Sequence, residues 1–322
     1  MPKTLNFFLA VLSIAKLNKC RPRSNSRFFI TAAATFSSRQ YLHHRRPLKQ
    51  IKQFDMSAFE KFESRGGMPN SVSTVILSSQ QRIFCYGDSL TAGTSPPNDE
   101  LHPYGPYLEH SLRSIIISSD DNREALSRKT KVDPQTPSTP IVRWFGLPGW
   151  TAEAMAQSLS TQYGLDAMLR SRNVNLAIIL AGTNDLAYEK NSRKILDSIV
   201  ALHEAAHGEG VPTLAIGIPT SGWQSVSEET RVLAQSVNEG LKSWVEDKQQ
   251  QQRQGKMQRS QQSSKEANNS SKYTSVDYTP FPIQIFERNS GLWSPDGLHF
   301  SPSGYKFIGT SLASVVKEIL NK

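Results

Sequence analysis

Short apolar runs alternate along the chain with longer stretches in which apolar positions recur every three or four residues. The runs are Arg82–Tyr86, Ile141–Phe145, Val174–Leu180, Thr213–Ile218 and Pro282–Phe286. Leu176 to Leu180 is apolar without a break, the pattern of a strand covered on both faces. Ile195, Ile199, Leu202 and Ala206 fall on one helical face. Leu233, Val237, Leu241 and Trp244 do the same, as do Tyr305, Ile308, Leu312, Val315 and Ile319. A shorter helix is predicted over Pro106–Ile117, and another over 151–171 with an interruption at Gly164. Strands alternating with helices predict a parallel sheet between two helical layers, joined by right-handed crossovers. The expected fold class is α/β, one three-layer α/β/α domain with five strands.

Two segments fall outside that pattern. Residues 118–139 (SSDDNREALSRKTKVDPQTPST) read as a polar surface loop. Residues 248–273 are Gln/Ser-rich with almost nothing apolar to offset chain ordering, and predict a disordered insertion between the fourth helix and fifth strand.

Charge changes the picture only at one end. Residues 1–54 hold 11 of the 37 Lys and Arg and no Asp or Glu, leaving 26 basic against 28 acidic residues beyond them. The formal +9 therefore belongs to a leader, and the remainder has no basic bias that would argue for nucleic acid as a partner. The domain reading is a disordered targeting leader over 1–55 and a folded domain over 78–322. An Arg-rich, Ser-bearing, acid-free leader has the composition of an organellar transit peptide, with the mitochondrion ahead of the plastid. Two other readings stay open: Lys3 and FFLAVLSIA heading a secretory signal, or translation from Met56 giving a cytosolic protein. The apolar stretch around Phe7–Ala15 is too short to span a membrane, so no transmembrane segment is expected. The only cysteines are Cys20 and Cys85, one of them in the leader. The folded part can form no internal disulfide and no cysteine-type zinc site, and it has no HExxH motif, so neither metal nor cofactor is expected.

Candidate chemistry collects where strands are predicted to end. Ligands of a parallel α/β sheet bind beyond the carboxyl ends of its strands. There stand Gly87-Asp88-Ser89-Leu90, Gly146-Leu147-Pro148-Gly149-Trp150-Thr151, Gly182-Thr183-Asn184-Asp185 and Asp296-Gly297-Leu298-His299. Taken alone, Ser89 is either a nucleophile or a polar residue opening the next helical turn. The other three groups supply what a nucleophile needs. A serine hydroxyl reacts once a base takes its proton, and a histidine such as His299 is the side chain suited to that task. Asp296, three residues earlier, is placed to accept the other ring N–H. Negative charge on a tetrahedral intermediate would face three donors, the N–H groups of Ser89 and Gly149 and the Asn184 amide. One such donor is worth about 3 kcal/mol of barrier.

GDSLTAG, the GWTA turn with its preceding glycine, AGTND and DGLHFSPSGY resemble, in order, the four sequence blocks of the GDSL-type lipase/esterase, or SGNH hydrolase, superfamily. The resemblance runs from about Gln81 to the C-terminus. It implies a flavodoxin-like sheet of order 2-1-3-4-5, Ser89, Gly149, Asn184 and His299 in the naming roles, Asp296 as the triad acid, and Ser89 on a small helical turn. No G-x-S-x-G elbow is present, which argues against an ordinary α/β-hydrolase.

The activity these residues imply is serine-dependent hydrolysis of a small-molecule carboxylic ester through an acyl-enzyme. Two alternatives stay open: acyl transfer to an alcohol or sugar at the same site, and a non-catalytic binding protein on the same fold. Trp150 and Trp293 adjoin the machinery and are candidate pocket walls, with Tyr104, Tyr107 and Trp223 as further candidates. Asp88 and Asp185 read as structural, bonding nearby backbone. Cys85 reads as a small core residue, and His102, His203 and His207 as exposed or capping side chains. The oligomeric state is not legible.

Overall fold

The structure is a computed structural model and describes residues 80–98, 100–127, 140–170, 173–261 and 274–322. The expectations for the leader, for 128–139 and for 262–273 lie outside the described residues.

β1 (Arg82–Asp88) runs between β2 (Ile141–Leu147) and β3 (Leu176–Leu180), and β4 (Thr213–Ile216) and β5 (Val276–Thr279) extend the sheet beyond β3. All pairings are parallel, in the order β2-β1-β3-β4-β5. This is the flavodoxin-like order implied by the sequence blocks. Every residue of β3 is buried, as its unbroken apolar run requires.

The helices are α1 (Ser89–Ala92), α2 (Gly105–Ser127), α3 (Ala152–Gln157), α4 (Leu165–Arg170), α5 (Ser192–Gly208), α6 (Glu228–Gln261) and α7 (Pro302–Leu320). α2 and α7 pack together over one face of the sheet, and α5 packs with α3, α4 and α6 over the other. Alternation along the strands feeds both layers. Ile83, Cys85, Ile178 and Leu180 bury against Leu108 and Leu112 of α2 and Ile308 and Leu312 of α7. At about 1.5–3 kcal/mol per fully buried large aliphatic side chain, such faces drive the assembly. No helix among the described residues is long and apolar enough to cross a membrane.

Four expectations need correction. The fifth strand is Val276–Thr279, not Pro282–Phe286. Pro280 and Pro282 have no N–H to continue a ladder. Phe281 and Ile283 are buried from a loop instead, which is why their apolar character imitates a strand. The Gln-rich tract is helical through Gln261, because α6 continues into it. Glutamine is a good helix former, and here its amide also finds partners. Gln249 Nε2 donates to Val276 O at 2.8 Å, and Gln252 Nε2 donates to Thr274 O at 2.7 Å. Residues 118–127, expected to open a polar loop, are helical, since α2 extends to Ser127. His203, read as exposed or capping, is wholly buried, with Nδ1 at 2.9 Å from Thr213 Oγ1 and its ring against Trp244. Burial, and secondarily the charge of His207, pushes its pKa down to about 3, so the ring stays neutral.

Candidate active site

The site begins with a glycine that allows close backbone approach. At the end of β1, Gly87 pairs with Gly146 of β2 and Leu180 of β3. A Cβ at Gly87 would stand 2.2 Å from Leu180 O and 2.5 Å from Thr91 Oγ1. A Cβ at Gly146 would stand 2.2 Å from Ala92 N. The two missing side chains let the single turn of α1 lie directly across the strand ends, which presents Ser89. Asp88 caps that turn, its Oδ1 accepting from Leu90 N–H at 2.8 Å. Gly93 closes it at φ +83°, with its N–H on Ser89 O.

The other members arrive from the far end of the chain. Ser89 Oγ lies 2.9 Å from His299 Nε2, and His299 Nδ1 lies 2.6 Å from Asp296 Oδ2. The second oxygen of Asp296 accepts the N–H groups of Leu298 and His299 at 2.9 and 3.0 Å, so the carboxylate shapes the turn that carries its own partner. Burial pushes the Asp296 pKa up, but the His299 hydrogen bond and charge and the two backbone N–H groups more than reverse this. Its carboxyl is thus held below the usual range and is ionised at neutral pH. Ser294 ties down this segment. Its N–H donates to His299 O at 2.9 Å and its Oγ to Phe300 O at 2.9 Å, and Ser95, from the loop after α1, approaches Ser294 Oγ at 3.3 Å. Sequence inspection gives no sign of that Ser95–Ser294 contact, because the two hydroxyls lie 199 positions apart.

Two of the expected oxyanion residues, Gly149 and Asn184, are tied to one turn. Gly149 sits at φ +79° in a turn closed by Trp150 N–H on Leu147 O at 3.0 Å. Asn184 Nδ2 donates to Trp150 O at 2.9 Å, joining the loop after β3 to that turn. An amide has two N–H groups, and the second makes no hydrogen bond among the described residues.

Of the suggested pocket walls, Trp150 is half-buried beside the Gly149 turn. Trp293 is not a wall. It is 6% exposed and belongs to the core, tilted against Phe300 at 4.4 Å and edge-on to Phe286 at 4.9 Å between ring centroids. Tyr104 is likewise core, whereas Trp223 is half-buried. Cys85 is a buried core residue whose thiol burial pushes up to about 12, leaving it inert.

Asp88 stands in the site without belonging to the Ser–His–Asp row. It is fully buried, and its Oδ2 has no hydrogen-bond partner among the described residues. Burial pushes its pKa up to about 7, with Asp185 adding to the rise, against the lowering effects of Leu90 N–H and His299. In the unfolded chain the same carboxyl ionises near pH ~4. Its contribution to stability is therefore complete below that value and is lost as pH rises through about 7. Asp88→Asn keeps a capping oxygen and cannot ionise. Its melting temperature relative to the parent is expected to climb between about pH 5 and pH 8. Thermal melts whose difference stays constant over that range would contradict the assignment.

A five-stranded α/β/α sheet with a Ser–His–Asp row at its strand ends, beside a glycine turn and an asparagine, defines a hydrolase of the flavodoxin-like class. The chain belongs to the GDSL-like lipase/acylhydrolase family, whose sequence profile matches residues 85–307. No curated protein sequence matches it. Among solved structures it is similar to a GDSL-like lipase from Bacteroides thetaiotaomicron, at 12% identity and TM-score 0.47, over 81% of this chain and 98% of that one. It is similar also to a carbohydrate esterase of family 3 from Talaromyces cellulolyticus, at 15% identity and TM-score 0.45, over 75% and 99% of the two chains. A psychrotrophic esterase from a Pseudoalteromonas species matches at 14% identity and TM-score 0.43, over 76% and 100%. Family membership rests on the sequence profile and not on these distant likenesses.

Proposed function

We propose that the protein hydrolyses carboxylic esters through a covalent acyl intermediate on Ser89. The observation that supports this most is the unbroken hydrogen-bonded row Ser89 Oγ, His299 Nε2, His299 Nδ1, Asp296 Oδ2. His299 Nε2 takes the Ser89 proton as Oγ bonds to the ester carbonyl carbon, and the carbonyl electron pair moves onto oxygen. Asp296 accepts the Nδ1–H and stabilises the imidazolium. Ser89 N–H, Gly149 N–H and the second Asn184 N–H receive the oxyanion. Collapse of the intermediate breaks the bond to the alkoxy oxygen, which leaves as the alcohol with the proton from His299. Water then attacks the acyl carbon, gives its proton to His299, and releases the acid and Ser89.

Rapid acid quench during turnover of a short-chain nitrophenyl ester is expected to leave one acyl group on the peptide containing Ser89, found by mass spectrometry. A nitrophenol burst should equal the number of active sites. Steady turnover with no burst and no acylated peptide would exclude the covalent route. Including an alcohol in the assay distinguishes hydrolysis from acyl transfer by its products.

A further inference from the structure

We propose that Asp185 is the positioning residue of the oxyanion hole, fixing the Gly149 turn and Asn184 in one register through the start of α3. This inference rests on the oxyanion roles proposed above for Gly149 and Asn184. Asp185 does not face Ser89 or His299 through any hydrogen bond seen among the described residues. Its side chain crosses instead to the segment after β2: Oδ2 accepts Ala152 N–H at 2.8 Å and Oδ1 accepts Glu153 N–H at 3.4 Å. Its backbone is anchored independently, the carbonyl accepting Tyr188 N–H and Glu189 N–H, each at 2.9 Å.

The neighbouring contact is the Asn184 amide on Trp150 O. Two adjacent residues of one loop thus grip the segment 150–153 at both ends of a short span. Gly149 immediately precedes that span. Gly149, at φ +79°, sits in the turn that Trp150 N–H closes, so the direction of its N–H depends on where residues 150–153 are held. Thr151 contributes only a local cap, its Oγ1 accepting Ala154 N–H at 3.1 Å, and makes no link to the loop after β3.

The residue type fits the task. The two successive N–H groups are here met by separate oxygens, and a carboxylate is the side chain with two acceptor oxygens and no donor. Asparagine at 185 would satisfy one N–H and aim its own NH₂ at the other. Asp185 is 4% exposed, and burial raises its pKa despite the backbone N–H bonds. A buried carboxylate is a costly way to cap a six-residue helix. Holding a fixed distance between two catalytic loops is a reason for the cost.

The test is steady-state kinetics on folded enzyme counted by active-site titration, for Asp185→Ala, Asp185→Asn, Asn184→Ala and the double Asn184→Ala/Asp185→Ala. Asp185→Ala is expected to lower kcat roughly 10- to 100-fold, with KM changed less than about 3-fold, because the oxyanion exists only after attack. Asp185→Asn, which keeps one acceptor and the fold, should fall between the parent and Asp185→Ala. In the Asn184→Ala background, removing Asp185 should cost less than it does in the parent, since the part of its effect that acts through Asn184 is already gone and only the Gly149 part remains. An Asp185→Ala enzyme that melts earlier but keeps its kcat per active site would reduce Asp185 to a structural cap and overturn the proposal. Fully multiplicative losses in the double variant would do the same. An Asn184→Ala enzyme at the parent rate would overturn the oxyanion reading itself, and this inference with it.

Discussion

Ser89→Ala is expected to lower kcat for ester hydrolysis by about 10⁵-fold or more while leaving the fold intact. Without Oγ there is no atom to form the acyl bond, and what remains is substrate binding plus the stabilisation offered by the oxyanion donors. The hydroxyl's one hydrogen bond among the described residues is to His299, and α1 is held by Asp88 and Gly93 rather than by this side chain. Stability should therefore move by less than about 1 kcal/mol. His299→Ala should cost a similar factor, and the double variant should be no slower than the worse single one, because residues that act as a unit do not add. Nitrophenyl ester turnover and fluorophosphonate labelling measure both effects. Labelling of the Ser89→Ala protein, or a residual rate within about a hundredfold of the parent, would place the nucleophile elsewhere.

The second large effect concerns folding. Gly87→Ala puts a methyl group 2.2 Å from a backbone oxygen of β3 and 2.5 Å from Thr91 Oγ1, at a point where two strands and α1 meet. Neither the Leu180 carbonyl, held in the central strand, nor the α1 backbone can retreat without breaking the sheet ladder. The expected loss is at least about 3 kcal/mol, at the upper end for overpacking. In a domain of this size that lowers the melting temperature by roughly 6 °C or more, and activity falls with it because Ser89 is two residues away. Gly208→Ala makes the opposite prediction. It ends α5 with nothing within 4 Å of an added Cβ, so alanine should stabilise by about 0.5–1 kcal/mol. Equal melting temperatures for the Gly87→Ala protein and the parent would refute the close-approach argument.

The legible elements and the illegible ones differ in where their causes lie. β1, β2, β3 and β4 and the buried faces of α5, α6 and α7 could be read because each announces itself within a window of a few residues. Ser89 and Asn184, which closely follow β1 and β3, could be read for a related reason. Parallel strands all end on one side, so unusual residues after each of them are brought to one crevice. Asp296 and His299, well beyond the end of β5 at Thr279, were instead legible through the resemblance of DGLHFSPSGY to a family block. The edge strand Val276–Thr279 was hidden, since only its first residue is fully buried, and the richer apolar run beyond two prolines drew the assignment away. The helical glutamines were hidden too. A polar tract has no apolar face to show, and carbonyl partners at Val276 and Thr274 exist only once the sheet edge is in place. Trp293 looked like a pocket wall from its nearness to His299 in the chain, but its ring is turned into the core against Phe286 and Phe300.

Periodicity and the four sequence blocks in the amino-acid order determined the α/β/α layering and the identity of the serine, imidazole and carboxylate that meet. These properties follow from local backbone preference and from the common polarity of parallel strands. The tertiary structure alone decided which oxygen of Asp185 holds which N–H, that Asp88 keeps a buried carboxyl oxygen with no partner among the described residues, and that two glycines let α1 rest on the strand ends. Such details depend on sub-ångström approaches between segments tens of residues apart, and nothing in a linear pattern encodes a distance across the fold.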